Sequence, residues 1–172
     1  MARLVVLYGP PASGKTVLAK ILGTQLGMPV IGKDLLKEAI MDHVGGAPGV
    51  GAASFSAQFA VARQLLASSV DMILEGAFFR TQGEVTELAV LAETVAIELR
   101  CPIDVLEARY LGRHPERHKG HRGAEALPDL RRRVAGAEYG VPELDCPTLV
   151  VDSSDGFKPS EQDVVRWVRQ NL

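Results

Sequence analysis

Residues 9–16 read GPPASGKT and follow directly on the apolar run at residues 4–7. Gly9, Gly14, Lys15 and Thr16 occupy every fixed position of the phosphate-binding pattern GxxxxGK[ST]. Glycines at both ends let the backbone curl so that successive amides, those of Ala12, Ser13 and Gly14 among them, point inward around an anion. The Lys15 ammonium then reaches the outer phosphates of a nucleoside triphosphate, and the Thr16 hydroxyl can hold Mg²⁺. A helix starting at the loop adds its positive N-terminal end to the same anion. A plain strand-to-helix turn would also be rich in Gly and Pro, but the complete motif between a strand and a helix is the context that marks a phosphate loop.

Upstream, residues 3–8 form a short β-type run without strict alternation, as expected of a strand buried on both faces. Downstream, residues 16–26 carry Val17, Leu18, Ile21, Leu22 and Leu26 in a helical stripe that ends near Gly27 and Pro29. Residues 29–31 read as a second strand and 34–44 as a helix stopped by Gly45 and Gly46. The stretch 45–53, GGAPGVGAA, is too poor in large side chains to build a core. It reads either as a mobile loop over a substrate or as a linker between helices. Helical patterns follow at 54–69, 83–93, 103–113 and 160–171, with strands at 70–74, 94–99 and 149–151. Strands separated by helices pair in parallel with helices on both faces, so a five-stranded doubly wound sheet is expected.

The 172 residues, 47% of them apolar, suit one compact domain spanning 1–172. A net charge of −2 argues against a surface built wholly for nucleic acid, while leaving local patches open. Cys101 and Cys146 are each followed by proline and make neither a disulfide framework nor a metal-ligand spacing, which suits a reducing cytoplasm. The chain enters a strand almost at once, without a signal-peptide pattern, and no apolar run approaches a membrane span. Neither export nor membrane insertion is expected.

In such sheets ligands lie beyond the carboxyl ends of the strands, so the residues there are the candidates. Asp34, in VIGKDLLKE, reads as the N-cap of its helix, as a general base accepting a hydroxyl proton, or as both. Lys33 and Lys37 flank it and would contact an anionic acceptor if they are not merely solvated. Glu75, in MILEGAFFR, is placed to hold the Mg²⁺ shell, and Arg80 to meet the acceptor; the alternative is a loop acid and a loop arginine without partners. Residues 109–133 hold eight Arg and Lys against three acids, with His114, His118 and His121 among them. Pro115 breaks the helix that would align these histidines on a metal. The run is expected instead to form an arginine-rich lid at about 113–127, with Arg113, Arg117 and Arg109 closing over the phosphates.

GPPASGKT, a strand ending in KD, LEG after the third strand and an Arg-dense segment before the fifth together resemble the small phosphate-loop kinases. That group includes gluconate and shikimate kinases, chloramphenicol phosphotransferase, zeta toxins and the kinase half of polynucleotide kinase, and RHPERHKGH is similar to stretches in its poorly characterised AAA-type members. The resemblance implies a three-layer sandwich with strand order 2-3-1-4-5, ATP with Mg²⁺ as donor, and a small-molecule hydroxyl acceptor near Asp34. It also places Arg109 and Arg113 as lid arginines and the loop 153–159 against the adenine. Glu75 stands where the group usually has Asp, and Lys37 replaces a usual Arg, so acceptor identity does not carry over. A GTPase would need an Asn-Lys-x-Asp motif, and the only asparagine is Asn171. The alternatives left are an ATP-binding or ATP-hydrolysing regulatory module and a nucleotide or nucleic-acid 5′-end kinase.

Overall fold

A computed structural model describes residues 1–112, 118, 123–140 and 144–172. Five strands, β1 (Arg3–Tyr8), β2 (Val30–Gly32), β3 (Met72–Gly76), β4 (Glu93–Arg100) and β5 (Thr148–Asp152), form one parallel sheet in the order β2-β3-β1-β4-β5. The helices are α1 (Lys15–Leu26), α2 (Lys33–Val44), α3 (Val50–Ala67), α4 (Gln82–Ala89), α5 (Ile103–Gly112), α6 (Leu127–Ala135) and α7 (Glu161–Asn171).

The central strand explains the layers. Leu4, Val6 and Tyr8 of β1 face Phe59, Ala62 and Leu66 of α3 and Val85 and Leu88 of α4. Val5 and Leu7 alternate to the other face, against Leu18 and Leu22 of α1 and Val164, Val165 and Val168 of α7. Both faces of the strand are therefore buried, which is why its sequence shows no alternation. A third cluster caps the carboxyl edge of the sheet, where Leu106 and Tyr110 of α5 and Leu130 of α6 pack with Tyr139 and, partly buried, Ala12 and Phe79.

The order of elements agrees with the sequence reading apart from one added helix, α6, and the other differences lie at element ends. α3 begins at Val50 rather than 54, because Val50 is buried and Gly49 makes the turn at φ 89°; only 45–49 separate it from α2. β3 starts at Met72 and runs to Gly76, after a turn in which Ser69 adopts φ 58° and the Val70 amide donates to Leu65 O at 2.9 Å. Glu75 is thus inside the strand, not after it. α6 falls where the sequence suggested only the end of a lid; Pro128 sits in its first turn, and Leu130 anchors it.

Candidate active site

The loop between β1 and α1 is held open by backbone that only certain residues adopt. Gly9 has φ 143°, and a Cβ there would stand 2.5 Å from the Leu99 carbonyl oxygen, so β4 approaches too closely for any side chain. Ala12 (φ 65°) and Gly14 (φ 90°) are also left-handed, and this alternation turns successive amides inward. Gly14 precedes α1 and accepts the amides of Val17 and Leu18 at 3.0 and 3.1 Å. Ser13 is wholly buried, with its Oγ unpartnered among the described residues. Lys15 is buried as well, and its Nζ donates to Pro10 O at 2.7 Å, folded back on the loop it serves.

Glu75 lies in register between Leu7 of β1 and Gly32 of β2. A Cβ on Gly32 would come within 3.0 Å of Glu75 Oε2, so the carboxylate takes room that a β2 side chain would fill. The Thr16 hydroxyl donates to the same Oε2 across a long 3.5 Å. Burial pushes the Glu75 carboxyl above the usual range, the Lys15 ammonium pulls it down, Asp34 raises it, and Lys33 and the Thr16 hydroxyl lower it. A hydroxyl and a carboxylate are the hard oxygen donors that suit Mg²⁺, which keeps most of its shell for water and phosphate oxygens. No group of three or more His, Cys, Asp and Glu side chains converges among the described residues.

Asp34 stands in the first turn of α2. Gly32 occupies the N-cap position, so the capping role expected for Asp34 is not the one it takes. Its carboxylate is half exposed and pairs with Lys33 Nζ at 2.7 Å, while the Lys33 ammonium also lies 5.4 Å from the centre of the Phe55 ring. Lys37, one turn further along α2, is partly buried. Arg80 is exposed beyond β3, its guanidinium 5.3 Å from the Phe79 ring centre. Arg109 of α5 donates to Ser154 O at 3.0 Å and reaches Cys101 Sγ at 3.7 Å, tying α5 to the loop after β5. In that loop the Phe157 ring comes 3.3 Å from where a side chain on Gly14 would begin. Lys15, Thr16, Glu75 and Asp34 therefore gather around one end of β1, β2 and β3, while Arg109 is held on α5 against the loop after β5 and Arg80 stands exposed on the Phe79 ring. Arg113 and Arg117 lie outside the described residues. Of the expected lid only His118 and 123–127 are described; His118 Nε2 is 3.0 Å from Asp42 Oδ1 on α2.

Two residues escaped the sequence reading. Arg133 of α6 is buried, bonded through Nε to Asp129 (2.9 Å) and through Nη1 to Glu138 (2.6 Å), with its face 4.3 Å from the Phe79 ring centre. With Gly9, Pro10, Leu99 and Tyr139 it lines a cavity of about 310 Å³ on the β4 side of the loop. The Arg133–Asp129 spacing of four on a helix was the available signal. Gln58 is the other, a polar residue on the stripe of α3 that Phe55, Phe59, Ala62 and Leu66 fill. Its Nε2 donates to Ile31 O and Glu75 O.

A family model described as an AAA domain matches residues 4–136. Among solved structures, a presumed kinase from Chloroflexus aurantiacus is 30% identical, with a TM-score of 0.78 over 99% of this chain and 98% of that one. A gluconokinase from Sinorhizobium meliloti is 19% identical, with a TM-score of 0.63 over 98% and 92%. A shikimate kinase from Bacteroides thetaiotaomicron is 14% identical, also at 0.63, over 98% and 97%. The last two likenesses concern the fold alone. No curated protein sequence matches the chain.

Proposed function

Because the chain belongs to this AAA-domain family and carries the fold of the small phosphate-loop kinases, we propose that it moves the γ-phosphate of ATP to a hydroxyl of a small molecule. The observation that carries the reading is a pair of carboxylates in unlike settings beside one phosphate loop. Glu75 is buried against Thr16, whereas Asp34 is half exposed at the start of α2. Two acids held in different environments can divide two tasks, one toward a metal ion and one toward a proton.

When bound, Mg²⁺–ATP supplies the transferable phosphoryl group and neutralises charge on it. The loop amides of Gly9, Ala12, Ser13 and Gly14 would hold its phosphates, with Lys15, now donating to Pro10 O, supplying its charge to a phosphate oxygen. Thr16 and Glu75 would hold the metal. Asp34 accepts the proton of the acceptor hydroxyl, with Lys37 and Arg80 orienting the acceptor. Arg109, docked on the loop after β5, would border the nucleotide, and Arg113 and Arg117 would serve as the lid arginines over its phosphates. No described helix is long and apolar enough to cross a membrane.

The 2.7 Å pair between Asp34 and Lys33 favours one rival, an ATP-binding or ATP-hydrolysing module in which this carboxylate meets no acceptor. Transfer of labelled γ-phosphate from ATP across a panel of sugars, nucleosides, antibiotics and nucleic-acid 5′ ends separates the two. Label moving to one class of alcohol supports the kinase; label appearing only as inorganic phosphate supports the rival.

A further inference from the structure

Gln58 is fully buried in the middle of α3, and its one carboxamide nitrogen bonds two neighbouring strands at once: Ile31 O of β2 at 2.8 Å and Glu75 O of β3 at 2.9 Å. Both partners are carbonyls, which only accept, so the nitrogen end must face them and both of its hydrogens are used. Oε1 is left buried, with no partner among the described residues. A buried acceptor without a partner is destabilising, and an apolar side chain of the same length would avoid it. Packing alone therefore does not account for a glutamine here.

The place of the bridge suggests what it does. β2 has only three residues, lies at the sheet edge, and passes straight into α2 with Lys33 and Asp34. Its register with β3 covers Val30, Ile31 and Gly32, ending opposite Glu75. So short an attachment leaves the carboxyl end of β2 weakly fixed just where the two carboxylates diverge. We propose that Gln58 is a positioning residue. As an added rung between the ends of β2 and β3, it sets the Glu75 carboxylate against Thr16 and keeps the start of α2, with Asp34, at a fixed distance from it. The roles given to Glu75 and Asp34 rest on the kinase reading above; the bridge itself does not.

Gln58→Met keeps the length and the apolar stripe and removes both donors. The measurement is the Mg²⁺ affinity of the complex with an unreactive ATP analogue, alongside the affinity for the analogue without Mg²⁺. Mg²⁺ affinity should fall about 10- to 100-fold, the range for groups that hold a metal ligand from behind. Metal-free affinity, set by residues 9–16, should stay unchanged. Ser54→Ala is the control: Ser54 is equally buried in the same helix but bonds only to its own Val50 O, at 2.6 Å, so its loss should lower stability and leave Mg²⁺ affinity alone. If Gln58→Met does not fold, Gln58→Glu, of the same length and unable to serve both carbonyls, is read in the same way. Unchanged Mg²⁺ affinity in the Gln58 variant, or an equal loss in Ser54→Ala, overturns the proposal. Because the readout is metal binding, a wild-type protein that transfers no phosphate would sink the kinase reading and leave this test intact.

Discussion

α1 and α2 are both twelve residues long and each starts at the carboxyl end of a strand, yet α1 buries Lys15, Leu18, Ala19 and Leu22 while α2 buries nothing. The strands before them differ in the same way: β1 is buried from Leu4 to Tyr8, whereas every residue of β2 is partly exposed. The phosphate loop thus rests on a packed base shared by both core layers, and the side bearing Asp34 rests mainly on α3, with β2 paired to β3 along its edge. A loop that must present several amides to one anion needs such a base, since small displacements forfeit the geometry. The architecture is shared with a gluconokinase and a shikimate kinase at below 20% identity.

Breaking the packed side chemically should have the largest effect. Lys15→Ala should abolish phosphoryl transfer and weaken ATP binding with the fold retained, checked by initial rates and circular dichroism; turnover at the wild-type rate would remove the loop from the mechanism. On the shallow side, Asp34→Asn should leave ATP affinity in place while transfer falls about 10²- to 10⁴-fold, the range for a positioned base. Because Gly32 holds the cap position, stability should hardly change. A lost melting temperature with intact activity would reverse the assignment.

The third contrast is mechanical. Leu22→Ala in α1 should cost about 2–5 kcal/mol by urea unfolding, as large-to-small changes in a core do. Leu35→Ala in α2, where the side chain is 70% exposed, should stay within about 0.5 kcal/mol. Similar losses at both sites would mean that α2 is anchored more deeply than its exposure indicates.

The smallest expected effect sits on the border between the halves. Burial raises the Glu75 carboxyl above its unfolded value, so the folded chain binds that proton more tightly than the unfolded one does. The contribution of Glu75 to the stability of the nucleotide-free protein should therefore decline as pH rises from the usual carboxylate range through the raised value, and stay lower above it. Glu75→Gln should melt at or above the wild-type temperature near pH 7, with the gap closing in acid. Mg²⁺–ATP should then stabilise the wild type more than the variant. Thermal melts with and without ligand across that range check both signs.

Contiguous features were legible in the sequence. The spacing of GPPASGKT names its own geometry, and the continuous apolar run at 4–7 gives away a strand buried on both faces. Asp34 and Glu75 were legible as residues but not as placements. The start of β3, and with it the position of Glu75 along the strand, depends on the turn at Ser69 and on Arg3, whose backbone amide donates to Asp71 Oδ1 at 2.8 Å, a contact 68 positions apart. Bonds of that kind leave no local period to read. Gln58 to Ile31 and Arg109 to Ser154 are likewise invisible until the sheet has formed. The arginines of α6 were legible only as part of a basic run, whereas in the structure Arg131 pairs with Glu107, and Arg132 and Arg133 pair with Asp129 and Glu138.

The contact of Phe157 with Gly14 joins the first loop of the chain to one of its last. A ribosome delivers residues 9–16 early, but the ring that closes against them emerges some 140 positions later, after both strands that flank β1. The nascent loop is accordingly complete in sequence long before it is complete in shape.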